Sequence, residues 1–253
     1  MVFIDENNST QQVIGNTQMP YLNSLADRYG LATDWNGLSH PSLPNYLGLI
    51  SGSIQDNPAD TTPADRTYSA QTLADQLANA GYSWKAYMED MPRPCDLNDT
   101  FSPGNYDVNH NPFVYFDSIR NSPAQCKRVV PFTEFAGDLQ ENKAPDFIWV
   151  SPNLINDMHN GSYAQGDTFL RRTISNVLAS QWYKNGGIVI VTFDEGETTE
   201  QVATIVISQR TPRGARLTTA GNHYGTLRAI EETYGLPLLG GAASSSADLR
   251  SLF

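Results

Sequence analysis

Short apolar runs that end in acidic or amide residues recur along this chain of 253 residues. Residues 187–193 form the clearest run, and similar runs occupy residues 2–5, 84–87, 147–150 and 203–207. A run that is apolar at nearly every position is typical of a parallel strand that helices cover on both faces. The pattern therefore predicts an α/β fold, a three-layer α/β/α sandwich around a largely parallel central sheet.

Helical spacing of apolar residues predicts helices over residues 20–29 and 224–234, each followed by a glycine. Ser69 and Asp167 are of the residue types that cap helices, and each is predicted to begin a further helix. The residues after Gly240 are small and polar, so we expect them to fray.

The chain shows no internal repeat and no linker, which predicts a single domain over residues 1–253. Residues from about 91 to 131 are rich in proline, asparagine and aspartate and are predicted to form a long excursion over the active face. Cys95 and Cys126 flank much of this segment. They are either two buried thiols or a disulfide, and we favour the disulfide because the segment is too polar to hold itself together. A disulfide indicates an oxidising compartment.

The net charge of the chain limits the kinds of molecule that it can bind. The chain carries a formal net charge of −11 and has four lysines. Nucleic acid and anionic membranes would be repelled over most of the surface, and no apolar run is long enough to span a bilayer. We expect a monomer that acts on a small molecule, secreted or periplasmic, with an export signal upstream of residue 1. An anionic substrate would need local positive charge, which a divalent cation supplies.

Acidic and amide residues follow three of the predicted strands: Glu6 and Asn7, the segment 153–159, and Asp194 and Glu195. In an α/β sheet, ligands bind beyond the carboxyl ends of the strands, so these residues should converge. Any one cluster is explained by a turn, because Asp and Asn are common in turns, but three such clusters together are harder to explain in that way. The four named residues offer only oxygen ligands, a set that suits Mg²⁺, Ca²⁺ or Mn²⁺.

All four histidines lie within or next to clusters of this kind. Asp157, His159 and His223 offer a carboxylate and two imidazoles, which would suit Zn²⁺ or Fe at a second metal site. Without a metal, the same residues can serve as a general acid for a leaving alcohol and as donors to phosphate oxygens. The residues alone leave these two roles open.

A serine between two prolines is the candidate nucleophile. Ser42 follows Pro41 and precedes Pro44 and Asn45, and the prolines are predicted to hold it in a defined turn. A serine hydroxyl becomes a good nucleophile only when a metal or a base lowers its pKa. Asn45 is suited to donate to a phosphoryl oxygen where charge develops. Taken alone, such a turn is merely a loop.

In this order, the clusters resemble the acid phosphatase/phospholipase C-type phosphoesterase family of the alkaline phosphatase superfamily. The likeness is closest to its secreted bacterial acid phosphatases, including those that act on phosphatidylinositol 3-phosphate. The stretches that carry the resemblance span nearly the whole chain. They are residues 6–9, 30–33, 40–46, 110–113, 152–159 and 192–196.

The resemblance implies an alkaline phosphatase-like fold and hydrolysis of phosphate monoesters through a phosphorylated Ser42. Asn45 and His110 are expected to contact the phosphate. The resemblance also implies a metal site, whose ligands are Glu6, Asn7, Asp194 and Glu195.

A second metal position is less complete in this chain. The superfamily places an aspartate and two histidines there, at the positions of Asp157, His159 and His223. Where many members have Asp-His in the third cluster, this chain has Asp194 and Glu195. The loss of that imidazole favours one hard cation over two zinc ions.

Three other functions fit parts of the sequence. A phosphodiesterase or phospholipase C would use the same residues in a differently shaped pocket. A sulfatase-like hydrolase needs an arginine where this chain has Tyr46. A non-catalytic, Ca²⁺-dependent binding module has no use for Ser42 or for converging histidines. Such a module would use the acidic loops and the aromatic residues of the excursion, Tyr106, Phe113, Tyr115 and Phe116.

Overall fold

The structure, a computed structural model, describes residues 1–99 and 105–253. Within these residues the chain forms ten strands. They are β1 Val2–Asp5, β2 Gly30–Ala32, β3 Trp35–Asn36, β4 Trp84–Met88, β5 Val129–Pro131, β6 Phe147–Ser151, β7 Val189–Phe193, β8 Thr204–Ile207, β9 Arg216–Leu217 and β10 Gly221–Asn222.

Eight of the strands form one sheet in the order β5-β4-β6-β1-β7-β8-β2-β9, and β3 pairs with β10 separately. β8 runs antiparallel to both of its neighbours, β7 and β2, and the other pairs are parallel. β1 lies between β6 and β7 and is parallel to both. The predicted largely parallel sheet is confirmed.

Helices lie between β1 and β2 and in each connection from β3 to β7. Short 3₁₀ turns occur at Val108–His110, Pro112–Tyr115, Phe132–Glu134 and Leu249–Leu252. Among the described helices, none is long and apolar enough to cross a bilayer. The α-helices are α1 Thr10–Val13, α2 Pro20–Arg28, α3 Ser42–Ser51, α4 Leu73–Asn79, α5 Asp117–Arg120, α6 Pro123–Cys126, α7 Phe135–Gln140, α8 Tyr163–Ala179, α9 Gln181–Lys184, α10 His223–Tyr234 and α11 Gly241–Ser244.

Helices cover both faces of the sheet. Val2 and Trp149 are paired in register, and Tyr46 of α3 packs on Trp149 with the ring centroids 6.2 Å apart. Phe3 points to the opposite face, because side chains alternate along a strand, and it packs on Phe135 of α7 at 6.4 Å. α3 lies against α4 and α10, whereas α2 lies against α8. This arrangement agrees with the predicted three-layer sandwich, while the single-domain boundary stays a prediction.

Both predicted helix caps were wrong. α4 is capped by Thr72, whose side chain accepts from the backbone N–H of Asp75, and not by Ser69. α8 begins after Ser162, which leaves Asp167 buried within the first turns of that helix. The Asp167 carboxylate accepts from backbone N–H groups at the start of α2, at 2.8 and 3.1 Å. An acid attracted to a helix N-terminus can thus cap a neighbouring helix instead of its own.

The prediction that the tail frays was also wrong. The residues after Gly240 form α11 and a final 3₁₀ turn, and Leu249 and Leu252 are buried. Leu252 lies directly against Gly30, where a Cβ would come within 2.9 Å of the leucine side chain. Two leucines among small residues are enough to fix the tail, because their burial removes apolar surface from water.

The excursion contributes to the core as well as to the active face. Residues 100–104 of the predicted segment lie outside the described residues. Tyr106, Phe113, Tyr115 and Phe116 are all buried, so they do not form the exposed aromatic surface that a binding module requires. Cys95 and Cys126 form a disulfide pair with their Cα atoms 5.2 Å apart.

We predict that replacing both cysteines (Cys95→Ser with Cys126→Ser) lowers the free energy of unfolding by about 3 kcal/mol, because the bridge restricts a long loop in the unfolded chain. The cysteines are separated by 31 positions. Urea unfolding with and without reductant measures the effect. The double variant should not respond to reductant, and an unchanged unfolding midpoint in the reduced wild type would contradict the prediction.

Candidate active site

The carboxyl ends of β4, β6, β1 and β7 meet at one edge of the sheet, because these strands are parallel neighbours. Two backbone hydrogen bonds join the loops that follow them. The N–H of Glu6 donates to the carbonyl of Asp157 at 2.9 Å, and the N–H of Asp194 donates to the carbonyl of Asp5 at 3.0 Å. The predicted convergence of the three clusters is therefore present in the structure.

The carboxylate of Glu6 contacts three other side chains of the site. Its Oε2 accepts from Ser42 Oγ at 3.0 Å, and its Oε1 accepts from the Tyr46 hydroxyl. The same Oε1 lies 3.3 Å from His110 Nε2. The side chain is fully buried, and burial followed by the charge of Asp194 raises the pKa of Glu6 well above its usual range. A carboxylate in this setting readily accepts a proton.

Ser42 is the first residue of α3 and does not lie in an isolated turn, as the prolines had suggested. Pro44 is compatible with the first turn of a helix, where its missing N–H would have no partner within the helix. Only 5% of Ser42 is exposed. The N-terminus of α3 carries partial positive charge, which favours a developing alkoxide or a phosphate at the Ser42 hydroxyl.

Asn45 has no surface exposure, and its amide is engaged by the protein. Its Oδ1 accepts from the N–H groups of Leu38 and Ser39, at 2.7 and 3.2 Å. Its Nδ2 donates to the carbonyl of Ser39 at 2.7 Å and to Glu195 Oε2 at 3.1 Å. Asn45 therefore ties Glu195 to the turn before the candidate nucleophile, and a direct contact with phosphate stays a prediction.

His110 reaches the site from the excursion and bridges two acids. Its Nε2 lies 3.3 Å from Glu6 and its Nδ1 lies 3.3 Å from Asp157 Oδ2. The ring stacks on Tyr46 with an interplanar angle of 6°. Burial would lower the pKa of His110, but the charges of Glu6 and Asp157 outweigh it and raise the pKa to about 10. The two acids thus favour the protonated form of the ring, whose positive charge is attractive to a phosphate.

Of the other two predicted site histidines, His159 lies beside His110, with the ring centroids 6.1 Å apart, and His223 lies behind the Asp194 loop. His159 is exposed; its ring contacts Asn160 Oδ1 at 3.0 Å, and its N–H donates to Asp157 Oδ1 at 2.8 Å. His223 is fully buried, and its Nε2 donates to the carbonyl of Asp194 at 2.5 Å. Burial lowers the pKa of His223 to about 4, so this ring is neutral over most of the pH range. This placement favours His159 over His223 as a general acid, and the structure pairs Asp157 with His110.

His40 joins the site through the acids after β7. Its Nδ1 lies 3.0 Å from Glu195 Oε1, and its Nε2 lies 3.1 Å from Glu200 Oε1. About half of its side chain is exposed. Burial opposes protonation, but the hydrogen bonds to and charges of Glu195 and Glu200 raise the pKa of His40. His40 thus braces Glu195 from the solvent side, as Asn45 does from within.

The four predicted metal residues flank two adjacent strands and have donors suited to a hard cation. Asn7 adopts a left-handed φ of 51°, which turns its N–H toward Asp194 Oδ1 at 3.0 Å. Asp194 Oδ2 is buried without a hydrogen-bond partner among the described residues. Burial, then the charge of Glu195, raises the pKa of Asp194 to about 7. Among the described residues, no group of three or more His, Cys, Asp or Glu is already arranged as a metal cage. The orphaned oxygen and the crowded negative charge nonetheless fit an oxygen-liganded cation.

Sequence reasoning missed several residues that shape this edge. Asp5 is fully buried on the face opposite Glu6, and neither of its carboxylate oxygens has a partner among the described residues. Burial, then the charges of Asp157 and Asp194, raises its pKa well above the usual range. Glu89, directly after β4, accepts from the N–H of Asn153 at 3.0 Å and so anchors the loop that carries Asp157. Its position after an apolar strand was the available signal.

A protein-family model described as the Phosphoesterase family matches residues 1–236. The chain belongs to this family. Among curated relatives, the phosphatidylinositol-3-phosphatase of Mycobacterium tuberculosis is 32% identical over 248 residues, which cover 97% of this chain and 79% of the relative. An acid phosphatase of Aspergillus fumigatus is 27% identical over 85% of this chain, but the match spans only 51% of the fungal protein. As a member of this family, the protein is a phosphoric ester hydrolase.

The fold matches solved structures of the alkaline phosphatase superfamily. A superfamily protein from Vibrio parahaemolyticus superimposes with a TM-score of 0.65 at 12% identity, covering 99% of this chain and 71% of that one. Identity this low supports the shared fold and no more. The predicted alkaline phosphatase-like fold is confirmed.

We predict that, in EDTA, the protein is more stable at pH 5 than at pH 8. The pKa of Asp194 is raised in the folded state from 3.8 to about 7, so its stabilising contribution is complete below about pH 4 and is lost as the pH rises through 7. Asp194→Asn should flatten this dependence, because the amide stays neutral. Thermal unfolding between pH 5 and 8 measures it.

Asp27→Asn is the matched control, because 82% of the Asp27 side chain is exposed. Its unfolding profile should follow that of the wild type. An Asp194→Asn profile that also follows the wild type would show that Asp194 is not responsible for the pH dependence.

Proposed function

We propose that this phosphoesterase hydrolyses phosphate monoesters through a phosphoserine formed at Ser42, with the help of one divalent cation. The observation that carries the proposal is the contact between Ser42 Oγ and Glu6 Oε2, 3.0 Å apart and buried at the N-terminus of a ten-residue helix. A buried serine that donates to a carboxylate of high proton affinity has a direct route for losing its proton.

The reaction follows from this contact. As Ser42 Oγ attacks phosphorus in line, its proton leaves along the hydrogen bond to Glu6, the Oγ–P bond forms and the bond from phosphorus to the alcohol oxygen breaks. In this proposal His159, which is exposed and whose ring centroid lies 6.1 Å from that of His110, gives a proton to the departing alcohol. Water then attacks the phosphoserine and gives a proton to His159 as the new O–P bond forms. The Oγ–P bond breaks, Glu6 returns its proton to Ser42, and inorganic phosphate is released.

Two neighbours steady the phosphoryl group in this scheme. The histidinium of His110 is held between Glu6 and Asp157 and offers fixed positive charge near the equatorial oxygens. Asn45 acts chiefly through Glu195, whose carboxylate it holds at 3.1 Å.

The proposed cation would be held by Glu6, Asn7, Asp194 and Glu195. When bound, it supplies positive charge that favours the serine alkoxide and offsets the charge of the phosphate. Mg²⁺, Ca²⁺ and Mn²⁺ are favoured because the donors are oxygens. A second site for Zn²⁺ has less support, since the buried His223 is engaged with a backbone carbonyl and His159 is exposed.

The names of two relatives bear on the substrate, and the disulfide bears on the compartment. The names of the relatives make simple phosphate monoesters and phosphoinositides the substrate candidates. A diesterase would use the same residues and is separated from a monoesterase by comparing p-nitrophenyl phosphate with its bis-ester. The disulfide between Cys95 and Cys126 supports a secreted or periplasmic location.

We predict that Ser42→Ala lowers kcat for p-nitrophenyl phosphate by at least about a thousandfold, because the covalent route is lost. Cation binding should persist in this variant, as measured by calorimetry. Acid quench with labelled phosphate ester should trap phosphoserine in the wild type and not in the variant. Ser51→Ala is the matched control: Ser51 lies in the same helix, is equally buried and bonds only within that region. Equal loss of activity in both variants would assign the effect to helix stability.

We predict that EDTA abolishes hydrolysis of p-nitrophenyl phosphate and that one of Mg²⁺, Ca²⁺ or Mn²⁺ restores it, because the oxygen donors prefer hard cations. Assays from acid to alkaline pH, with each cation and Zn²⁺ added singly, measure the outcome. Glu195→Gln should raise the cation concentration needed for half-restoration. Full activity in a protein shown by elemental analysis to be free of metal would contradict the proposal.

A further inference from the structure

A cleft of about 740 Å³ opens beside the candidate site, and Asn7, His40 and Glu195 belong to both. Its size is within the range of clefts that hold small ligands. Since the phosphoryl group is bound at the Ser42 edge, this cleft is the place for the alcohol that leaves. The charges of its walls therefore bear on which alcohols are accepted.

Acidic side chains line the walls of the cleft. Glu195 and Glu197 line it, and Glu200 lies 3.1 Å from His40 at its rim. Gln12 Nε2 donates to Glu197 Oε2 at 2.7 Å, which holds that carboxylate in place. Among the described residues that line the cleft, none is lysine or arginine. Residues 100–104, Thr-Phe-Ser-Pro-Gly, carry no charged side chain either.

The imidazoles do not reverse this balance. His40 is paired with two carboxylates, so even when it is protonated the group keeps a net negative charge. His159 also lines the cleft, but Glu195, Glu197 and Glu200 outnumber the two imidazoles, so the wall stays negative even when both rings are protonated. The chain as a whole carries a formal charge of −11, which adds to the negative potential.

We propose that this cleft selects phosphate monoesters of neutral or cationic alcohols and disfavours alcohols that carry a second anionic group. The inference rests on the proposed function, because it assigns the cleft to the leaving alcohol. A carboxylate or a second phosphate on that alcohol would face like charges, whereas a hydroxyl or an ammonium group would not. By the same reasoning, phosphoinositides, whose alcohol also carries a diester phosphate, should be the poorer of the two substrate candidates that the names of the relatives suggest.

The test compares glycerol 3-phosphate with 3-phosphoglycerate, which share a carbon skeleton and differ in a hydroxymethyl group against a carboxylate. With the restoring cation in excess and at low ionic strength, kcat/KM should be about threefold to tenfold higher for glycerol 3-phosphate, a range typical of partly screened like charges. The ratio should fall toward one as salt is added, because salt screens exposed charges. O-phosphoethanolamine should be at least as good a substrate as glycerol 3-phosphate.

Variants that remove one negative charge from the cleft test whether the wall charges cause the preference between the two substrates. Glu197→Gln and Glu200→Gln should each lower the ratio by about twofold, through faster turnover of 3-phosphoglycerate. Glu141→Gln, an exposed glutamate paired with Lys143, should leave both substrates unchanged. Equal or faster turnover of 3-phosphoglycerate at low salt would overturn the inference, as would a ratio that responds neither to salt nor to the cleft variants. In either case, activity on p-nitrophenyl phosphate would leave the proposed function intact. No hydrolysis of any monoester with any cation would overturn both.

Discussion

The parallel pairing of β1 between β6 and β7 is the constraint on which the site depends. It brings the ends of three buried strands to one edge, and the backbone bonds from Glu6 to Asp157 and from Asp194 to Asp5 join the loops that follow. These bonds hold acidic side chains close together against their mutual repulsion. Isolated loops with the same acids would separate, so the apolar strands are what make the charge density possible.

Few positively charged groups lie at this edge of the sheet, and they contact its acids. His110 contacts both Glu6 and Asp157, and His40 contacts both Glu195 and Glu200 nearer the solvent. The stacking of His110 on Tyr46, which itself donates to Glu6, fixes the ring in one orientation. Burial, and after it the charge of the neighbouring carboxylates, raises the pKa values of Glu6 and Asp194. A group of acids held in this way is stabilised either by protons or by a cation, and at neutral pH protons are few.

The sequence was sufficient to predict the strands and their polar ends, because a strand buried on both faces leaves a continuous apolar run that stops where the chain leaves the core. It was not sufficient to predict which side chains would meet. Asp167 has the chemistry of a cap, but only the packing of α2 on α8 determines whose N–H groups it meets. Ser42 was recognised by its type, yet its contact with Glu6 depends on how α3 lies on the sheet. Pro44 was interpreted as a turn residue, although it is equally suited to the first turn of a helix.

The excursion is a second case in which the sequence did not predict which side chains would meet. Its polar composition predicted a loop over the surface. Its aromatic residues, Phe113 and its neighbours, are instead buried in the core. That burial carries His110 inward to Glu6, so a segment that looks irregular in sequence supplies a fixed charge to the site. The phosphoryl group and its alcohol would thereby meet different surroundings, histidinium and cation on one side and the acids after β7 on the other. Asn7 and Glu195 belong to both surroundings, whereas Glu197 and Glu200 belong to the cleft side alone. Charge at these two glutamates can therefore change which alcohol is preferred without altering the groups that hold the phosphoryl oxygens.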